Sequence, residues 1–238
     1  MVSMTERLVD LASSAFLHPA RVTAASQLSD RFVCVELHSP AFRSASWTPG
    51  VKLQLRPRRG TWGLRTYTPF DGDHQRGTVR LLAYVHGTGP AAQWFSHART
   101  GQDCELSGPR RSIDLHPADP QILFVGDESS VGLACALHSR TVSTTHVFEA
   151  TDPAELRTVL DQLDLGDRST VVSRTDEHEG LLDAAQHASD TITPPFHLVV
   201  TGDASGVHAL RRHVRTWGHQ PDRIRGKAYW AGGRTGLD

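Results

Sequence analysis

The stretch QILFVGDESSVGLACALHS, residues 121–139, separates two kinds of secondary structure in this chain. Its first half is a continuous apolar run, as expected of a strand buried on both faces. Its second half reads as a helix, and Gly126 closes the strand between them. From here onward strands and helices alternate. THVFEA is a strand. DPAELRTVLDQL is a helix with Asp152 as N-cap and Pro153 in its first position. STVVSRT, LLDAAQHAS and FHLVVTGD continue as strand, helix and strand. GVHALRRHVRTWG is a helix with Val207, Leu210, Val214 and Trp217 on one face, closed by Gly218. GKAYWAG supplies a fifth strand. The order βαβαβαβαβ predicts a parallel, doubly wound sheet.

Upstream the pattern differs. Residues 5–16 predict a short amphipathic helix on Leu8, Leu11, Ala12 and Ala15, stopped at His18-Pro19. RFVCVELHS, VKLQLRP, TVRLLAYVHG and QDCELSGP then read as strands. In VKLQLRP, Val51, Leu53 and Leu55 share one face and Lys52, Gln54 and Arg56 the other. Turn signals separate the strands at Thr48-Pro49-Gly50, Arg59-Gly60 and Asp71-Gly72-Asp73. Short strands with frequent turns predict a small antiparallel barrel or sandwich. The expected organisation is a β domain over residues 1–117 and an α/β domain over 118–238.

Composition narrows the function. The net charge is -1, without the basic excess of a nucleic-acid binder. No stretch approaches the ~20 apolar residues of a membrane span, and the N terminus lacks the layout of a signal peptide. A cytoplasmic protein with no nucleic-acid or membrane partner is expected, as a monomer or weak dimer. Cys34, Cys104 and Cys135 are widely spaced and read as buried small hydrophobes. The histidines show no zinc spacing, so no metal ligands are expected. Lys52 and Lys227 are the sole lysines, so a cationic site here would be built from guanidinium groups.

Four stretches could carry chemistry. In RTYTPF, Arg65 and Tyr67 point to one face and Thr66 and Thr68 to the other, and Pro69 ends the strand. An arginine and a tyrosine two residues apart can grip a phosphate and lie against a flat ring, and Thr68 can reach the ring's edge. Alone, the stretch reads equally as a barrel strand with a solvent-facing arginine. HGTGPAAQWF places His86, Gly87, Gly89, Pro90, Ala91 and Ala92 before and within a helix start, where free amides bind anions. A plain Gly-Pro turn is the alternative. VGDESS puts Asp127, Glu128, Ser129 and Ser130 at the end of the first parallel strand. The two carboxylates can accept hydrogen bonds from a nicotinamide nucleotide, or they can cap the helix. Gly202 and Asp203 end the fourth strand, so two Gly-Asp loops border the usual switch point and predict a cleft. No GxSxG nucleophile occurs, and no catalytic side chain is assigned. Hydride transfer needs none, because the reactive atoms belong to the cofactors.

Taken in order, RTYTPF, HGTGPAAQW, SGPRRS, VGDESS and AYWAGG resemble the motifs of the siderophore-interacting proteins. These are flavin-dependent ferric-siderophore reductases of the ferredoxin-NADP reductase-like superfamily. The resemblance runs from about residue 20 to the C terminus. It implies an N-terminal antiparallel flavin-binding β-barrel followed by a C-terminal parallel-sheet nucleotide-binding domain. It implies electron flow from NAD(P)H through FAD to a ferric siderophore, with release of Fe(II). By resemblance, Arg65 would contact the FAD pyrophosphate, Tyr67 the flavin or ribityl, and Thr68 the flavin edge. His86, Gly87, Gly89, Pro90, Ala91 and Ala92 would form the second flavin-phosphate loop. Asp127, Glu128, Ser129 and Ser130 would face flavin and nucleotide. The chain departs from the pattern in a glycine loop one residue shorter, in Ala92 for serine, in Ser129 for threonine, and in YWAGG without following arginines. Arg56, Arg58 and Arg59 could form a cationic rim, or a solvated hairpin. Arg140 and Arg174 are candidates for the ribose pocket that separates NADH from NADPH. The alternatives are a general flavin or electron-transfer reductase, and a non-enzymatic iron-chelate-binding protein that has lost flavin.

Overall fold

The computed structural model describes residues 17–57, 64–115, 121–139 and 143–233. The chain divides into two compact units, Met1–Ser112 and Ile113–Asp238. The helix expected over residues 5–16, the Arg59-Gly60 turn, Arg58 and Arg140 lie outside the described residues.

The first unit holds seven strands: β1 His18–Gln27, β2 Phe32–His38, β3 Val51–Arg56, β4 Arg65–Tyr67, β5 Pro69–Asp73, β6 Thr78–Tyr84 and β7 Asp103–Arg111. Their pairings are antiparallel, in the order β4-β3-β7-β1-β2-β6-β5. The two strands at the ends of this order are consecutive in the chain, with Thr68 alone between them. The sheet must therefore curl until its ends meet, which makes it a barrel. Val33, Val35, Leu37, Leu53, Leu55 and Leu81 fill the interior, as the period of two predicts. Helix α1, Pro90–Ser96, adds Trp94 and Phe95 to this core.

Two features depart from expectation. β1 begins at the His18-Pro19 pair that reads as a helix stop. Only Ala20 and Val22 of β1 are buried, so its alternation is too sparse to read. Arg56, expected on a polar face or rim, is buried and pairs with Glu105, its register partner on β7. A guanidinium in the interior needs such a carboxylate.

The second unit is a five-stranded parallel sheet: β8 Gln121–Asp127, β9 Thr144–Ala150, β10 Ser169–Ser173, β11 Phe196–Asp203 and β12 Arg223–Trp230. The order β10-β9-β8-β11-β12 reverses direction between β8 and β11. That reversal is the switch point at which open α/β sheets bind ligands. The helices are α2 Val131–His138, α3 Pro153–Gln162, α4 Glu179–Thr191 and α5 Ala204–His213. Asp152 caps α3 by accepting from the Glu155 amide at 3.0 Å. α5 starts at Ala204 and gives way to a 3-10 turn at Val214–Thr216, shorter than the predicted helix.

Candidate functional site

In the barrel unit the RTYTPF stretch is a corner. β4 pairs with β3, and β5 pairs with β6. Arg65 and Thr66 are exposed, Tyr67 and Thr68 half-buried, and Pro69 and Phe70 buried. Arg65 Nη1 donates to the Leu64 carbonyl at 2.9 Å. The Tyr67 ring lies 4.9 Å from that of Phe95 on α1. Burial pushes the Tyr67 phenol up from its ordinary range, with Arg65 pulling it back. Tyr67 therefore stays a neutral hydroxyl at physiological pH.

The Tyr67–Phe95 contact brings the glycine loop's helix to the corner. His86, Gly87, Gly89 and Pro90 are exposed, and Ala91 and Ala92 half-buried. Gly87 has φ 68, in the left-handed region, so a side chain there would be strained. A Cβ built on Gly87 or Gly89 would meet nothing within 4 Å. The loop is thus an open cradle with its backbone accessible. The residues present fit a phosphate-bearing cofactor: a guanidinium, a neutral phenol and an open glycine loop on adjoining segments.

In the parallel-sheet unit the two Gly-Asp loops meet at Asp127. Its Oδ1 accepts from the Ser129 amide at 2.9 Å, the Ser129 hydroxyl at 2.5 Å and the Ser130 hydroxyl at 3.3 Å. Its Oδ2 accepts from the Asp203 amide at 2.9 Å and from Trp230 Nε1 at 2.7 Å. Thr201 Oγ1 donates to Ser130 Oγ at 2.9 Å. One buried carboxylate thus ties together the ends of β8, β11 and β12. Burial raises the Asp127 pKa, opposed by the bonds from Ser129 and Trp230. Gly202 has φ 115, and a Cβ there would stand 2.5 Å from Asp127 Oδ2, so glycine is required. In this arrangement the capping alternative describes Asp127, whose hydrogen-bonding capacity is taken up by its own chain.

Glu128 anchors a second cluster. Its Oε1 accepts from the Thr151 amide at 2.7 Å and its Oε2 from Arg174 Nη2 at 2.7 Å. Arg174 Nη1 also reaches Glu149 Oε2 at 3.2 Å, and its guanidinium lies 5.3 Å from the Trp230 ring centroid. Burial works to lower the Arg174 pKa, but Glu128, Asp127 and Glu149 together hold it above the ordinary value. His178 Nδ1 lies 2.8 Å from Glu149 Oε2, and its Nε2 lies 2.8 Å from Ser205 Oγ. Ser205 in turn donates to Asp203. Glu149 is pushed up by burial, with His178 and Arg174 opposing. The structure thus joins Asp127, Glu128, Ser129, Ser130, Gly202 and Asp203 around the strand ends. To these it adds Glu149, His178, Ser205 and Trp230. Glu149 lies in β9, His178 just before α4 and Ser205 in the first turn of α5, without a shared local pattern, so no sequence signal pointed to them. Trp230 was quoted within AYWAGG.

Among the described residues no cluster has the composition of a metal site, and no helix is long and apolar enough to cross a membrane. Cys34, Cys104 and Cys135 are buried, as expected.

Comparison with known proteins follows the same division. Residues 26–113 match the siderophore-interacting FAD-binding domain, and residues 119–233 match the siderophore-interacting protein family. A curated relative, the NADPH-dependent ferric-chelate reductase of Escherichia coli K12, is 24% identical over 170 residues. That alignment takes in 70% of this chain and 65% of the relative. The siderophore-interacting protein SipS of Aeromonas hydrophila superposes with a TM-score of 0.72 at 17% identity, over 92% of this chain and 93% of that one. A siderophore utilization protein of T. fusca superposes with a TM-score of 0.70 at 22% identity, over 93% and 95%. Phthalate dioxygenase reductase shares the fold at a TM-score of 0.72 and 14% identity, covering 93% of this chain and 71% of its own. A barrel closed at RTYTPF, a parallel sheet knotted at Asp127, and two family matches that together span both units lead to one assignment: the chain belongs to the siderophore-interacting protein family.

Proposed function

We propose that this chain is an NAD(P)H-dependent flavoprotein reductase of ferric siderophores. FAD is held by the barrel unit, and the nicotinamide nucleotide by the parallel-sheet unit. The observation that carries the reading is the juxtaposition of the RTYTPF corner with the glycine-loop helix through Tyr67 and Phe95. It gathers, from two distant stretches, the groups a dinucleotide needs. The match of residues 26–113 to an FAD-binding domain supports it.

Arg65 supplies a permanent positive charge for the FAD pyrophosphate, and guanidinium geometry suits phosphate oxygens. Tyr67 offers a neutral ring and hydroxyl, held in place by Phe95. Thr68 presents its hydroxyl at the strand junction. Gly87 and Gly89 leave the loop backbone open to phosphate, with His86, Pro90, Ala91 and Ala92 shaping the turn and helix start. Asp127, with Ser129, Ser130, Gly202 and Asp203, fixes the strand ends over which the nucleotide lies, and Glu128 places Arg174. Bound FAD would accept a hydride from the nucleotide and deliver electrons singly to ferric iron. The ferric siderophore is substrate, and the weaker hold on Fe(II) releases the metal. Widely spaced, buried cysteines fit a cytoplasmic location.

The test is the visible absorption spectrum of the purified protein with added FAD. Flavin bands that bleach with NAD(P)H and return with a ferric siderophore are expected. Protein that takes up no FAD would sink the reading and favour a binding protein. Arg65→Ala should weaken FAD by roughly 10- to 100-fold, the worth of one charge-assisted hydrogen bond of about 1.5–3 kcal/mol. A flavin titration checks this.

A further inference from the structure

NADH and NADPH differ by one phosphate on the adenosine ribose. Discrimination therefore rests on the charge that meets that ribose. In a doubly wound sheet the diphosphate lies at the first strand's loop, and the adenosine ribose over the end of the second strand. Here those strand ends are β8 and β9, with β10 alongside.

Among the described residues of the loops directly after β9 and β10, one guanidinium stands, that of Arg174. Its charge is already engaged: Glu128 Oε2 lies at 2.7 Å, Glu149 Oε2 at 3.2 Å and Asp127 Oδ2 at 3.8 Å. A 2′-phosphate would have to displace three carboxylates to use it. The segment that follows Arg174 is acidic. Asp176 and Glu177 are exposed directly after β10. They line a cavity of about 430 Å³ together with His178, Ser205, Arg212 and His213. Arg212 is the one guanidinium in that lining, against two carboxylates. At the end of β9, Glu149 Oε1 is buried without a hydrogen-bond partner. It is an acceptor at the strand end where an acidic residue takes the ribose 2′-hydroxyl. A hydroxyl can donate to such an oxygen, and a phosphate dianion cannot.

We infer that this chain selects NADH over NADPH, with Asp176 and Glu177 as specificity-determining residues and Arg174 withheld from the ribose by Glu128 and Glu149. This rests on the reductase reading, and it sets the chain apart from the relative named as NADPH-dependent. Carboxylates beside a binding site discriminate by repelling the wrong charge as much as by attracting the right ligand.

Calorimetric titration of the full chain with adenosine 5′-monophosphate and with adenosine 2′,5′-bisphosphate tests the inference without flavin turnover. The monophosphate should bind at least tenfold more tightly at low salt, with the ratio narrowing as salt screens the carboxylates. Glu177→Arg should raise bisphosphate affinity about tenfold and leave the monophosphate within a few-fold. Equal or tighter binding of the bisphosphate by the natural chain overturns the inference, as does an unchanged preference in Glu177→Arg. Binding of neither nucleotide overturns it too. The reductase reading fails separately: a chain that prefers the monophosphate yet takes up no FAD keeps the selectivity and loses the reduction.

Discussion

At the scale of single residues, buried polar atoms carry the sharpest expectations. Asp127 accepts hydrogen bonds from Ser129, Ser130, Asp203 and Trp230. Asp127→Asn turns an amide donor toward donors on one side, and should cost about 2–3 kcal/mol in urea unfolding. His146 offers a pH test. It is fully buried beside Phe124 and Phe148, and its Nε2 has no hydrogen-bond partner. Burial lowers its pKa to about 4 from the ordinary 6.5. The unfolded chain therefore binds the proton first as pH falls. Stability tied to His146 is fully present above about pH 6.5 and is lost between there and about pH 4, roughly 3 kcal/mol in all. Asp127 and Glu149, raised by burial, act with the opposite sign in acid. The difference between the stability profiles of the natural chain and His146→Leu isolates the histidine. The natural chain should show the steeper loss, and parallel profiles would contradict it.

At the scale of elements, β3 and β7 share the buried pair of Arg56 and Glu105. Glu105→Ala takes the carboxylate from a buried guanidinium, and should destabilise the barrel by about 3–5 kcal/mol. Replacing both residues with apolar side chains should restore much of that loss, as a double-mutant cycle would register. The same pair shows what the sequence conceals. In VKLQLRP the alternation correctly places Val51, Leu53 and Leu55 inside, but it does not show that Arg56, on the other face, is buried against a partner on a distant strand. The parallel sheet was legible throughout, since runs such as QILFVGD and FHLVVTGD bury both faces. β1 was not, with two buried residues in ten. The RTYTPF corner was half legible: Pro69 predicts a break, but the change of partner from β3 to β6 is a long-range event. Of the network of Glu149, Arg174 and His178 only Arg174 was singled out, because Glu149 comes from β9 and its partners from the segment after β10.

At the scale of the whole molecule, two separate cores replace one. Val35, Leu53 and Phe95 belong to the barrel's, and Leu123, Val147, Leu198 and Leu210 to the sheet's. Two cores need not melt together. Calorimetry should resolve two overlapping transitions, with FAD raising the barrel's by about 2.7 kcal/mol at a hundredfold excess over its Kd. Adenosine 5′-monophosphate should raise the other. A single transition shifted equally by either ligand would contradict this division. The units also differ in how they meet other chains. In the barrel the end strands β4 and β5, joined through Thr68, pair with β3 and β6 and are only three and five residues long, which leaves little backbone for a stranger to extend. The parallel sheet has two such margins, β10 and β12. β10 is five residues long, and β12 carries Arg223, Arg225 and Lys227. Brevity at one margin and positive charge at the other are the common safeguards against strand-to-strand polymerisation. Insolubility on mutation should therefore begin at β12, which at eight residues is the longest of these margins.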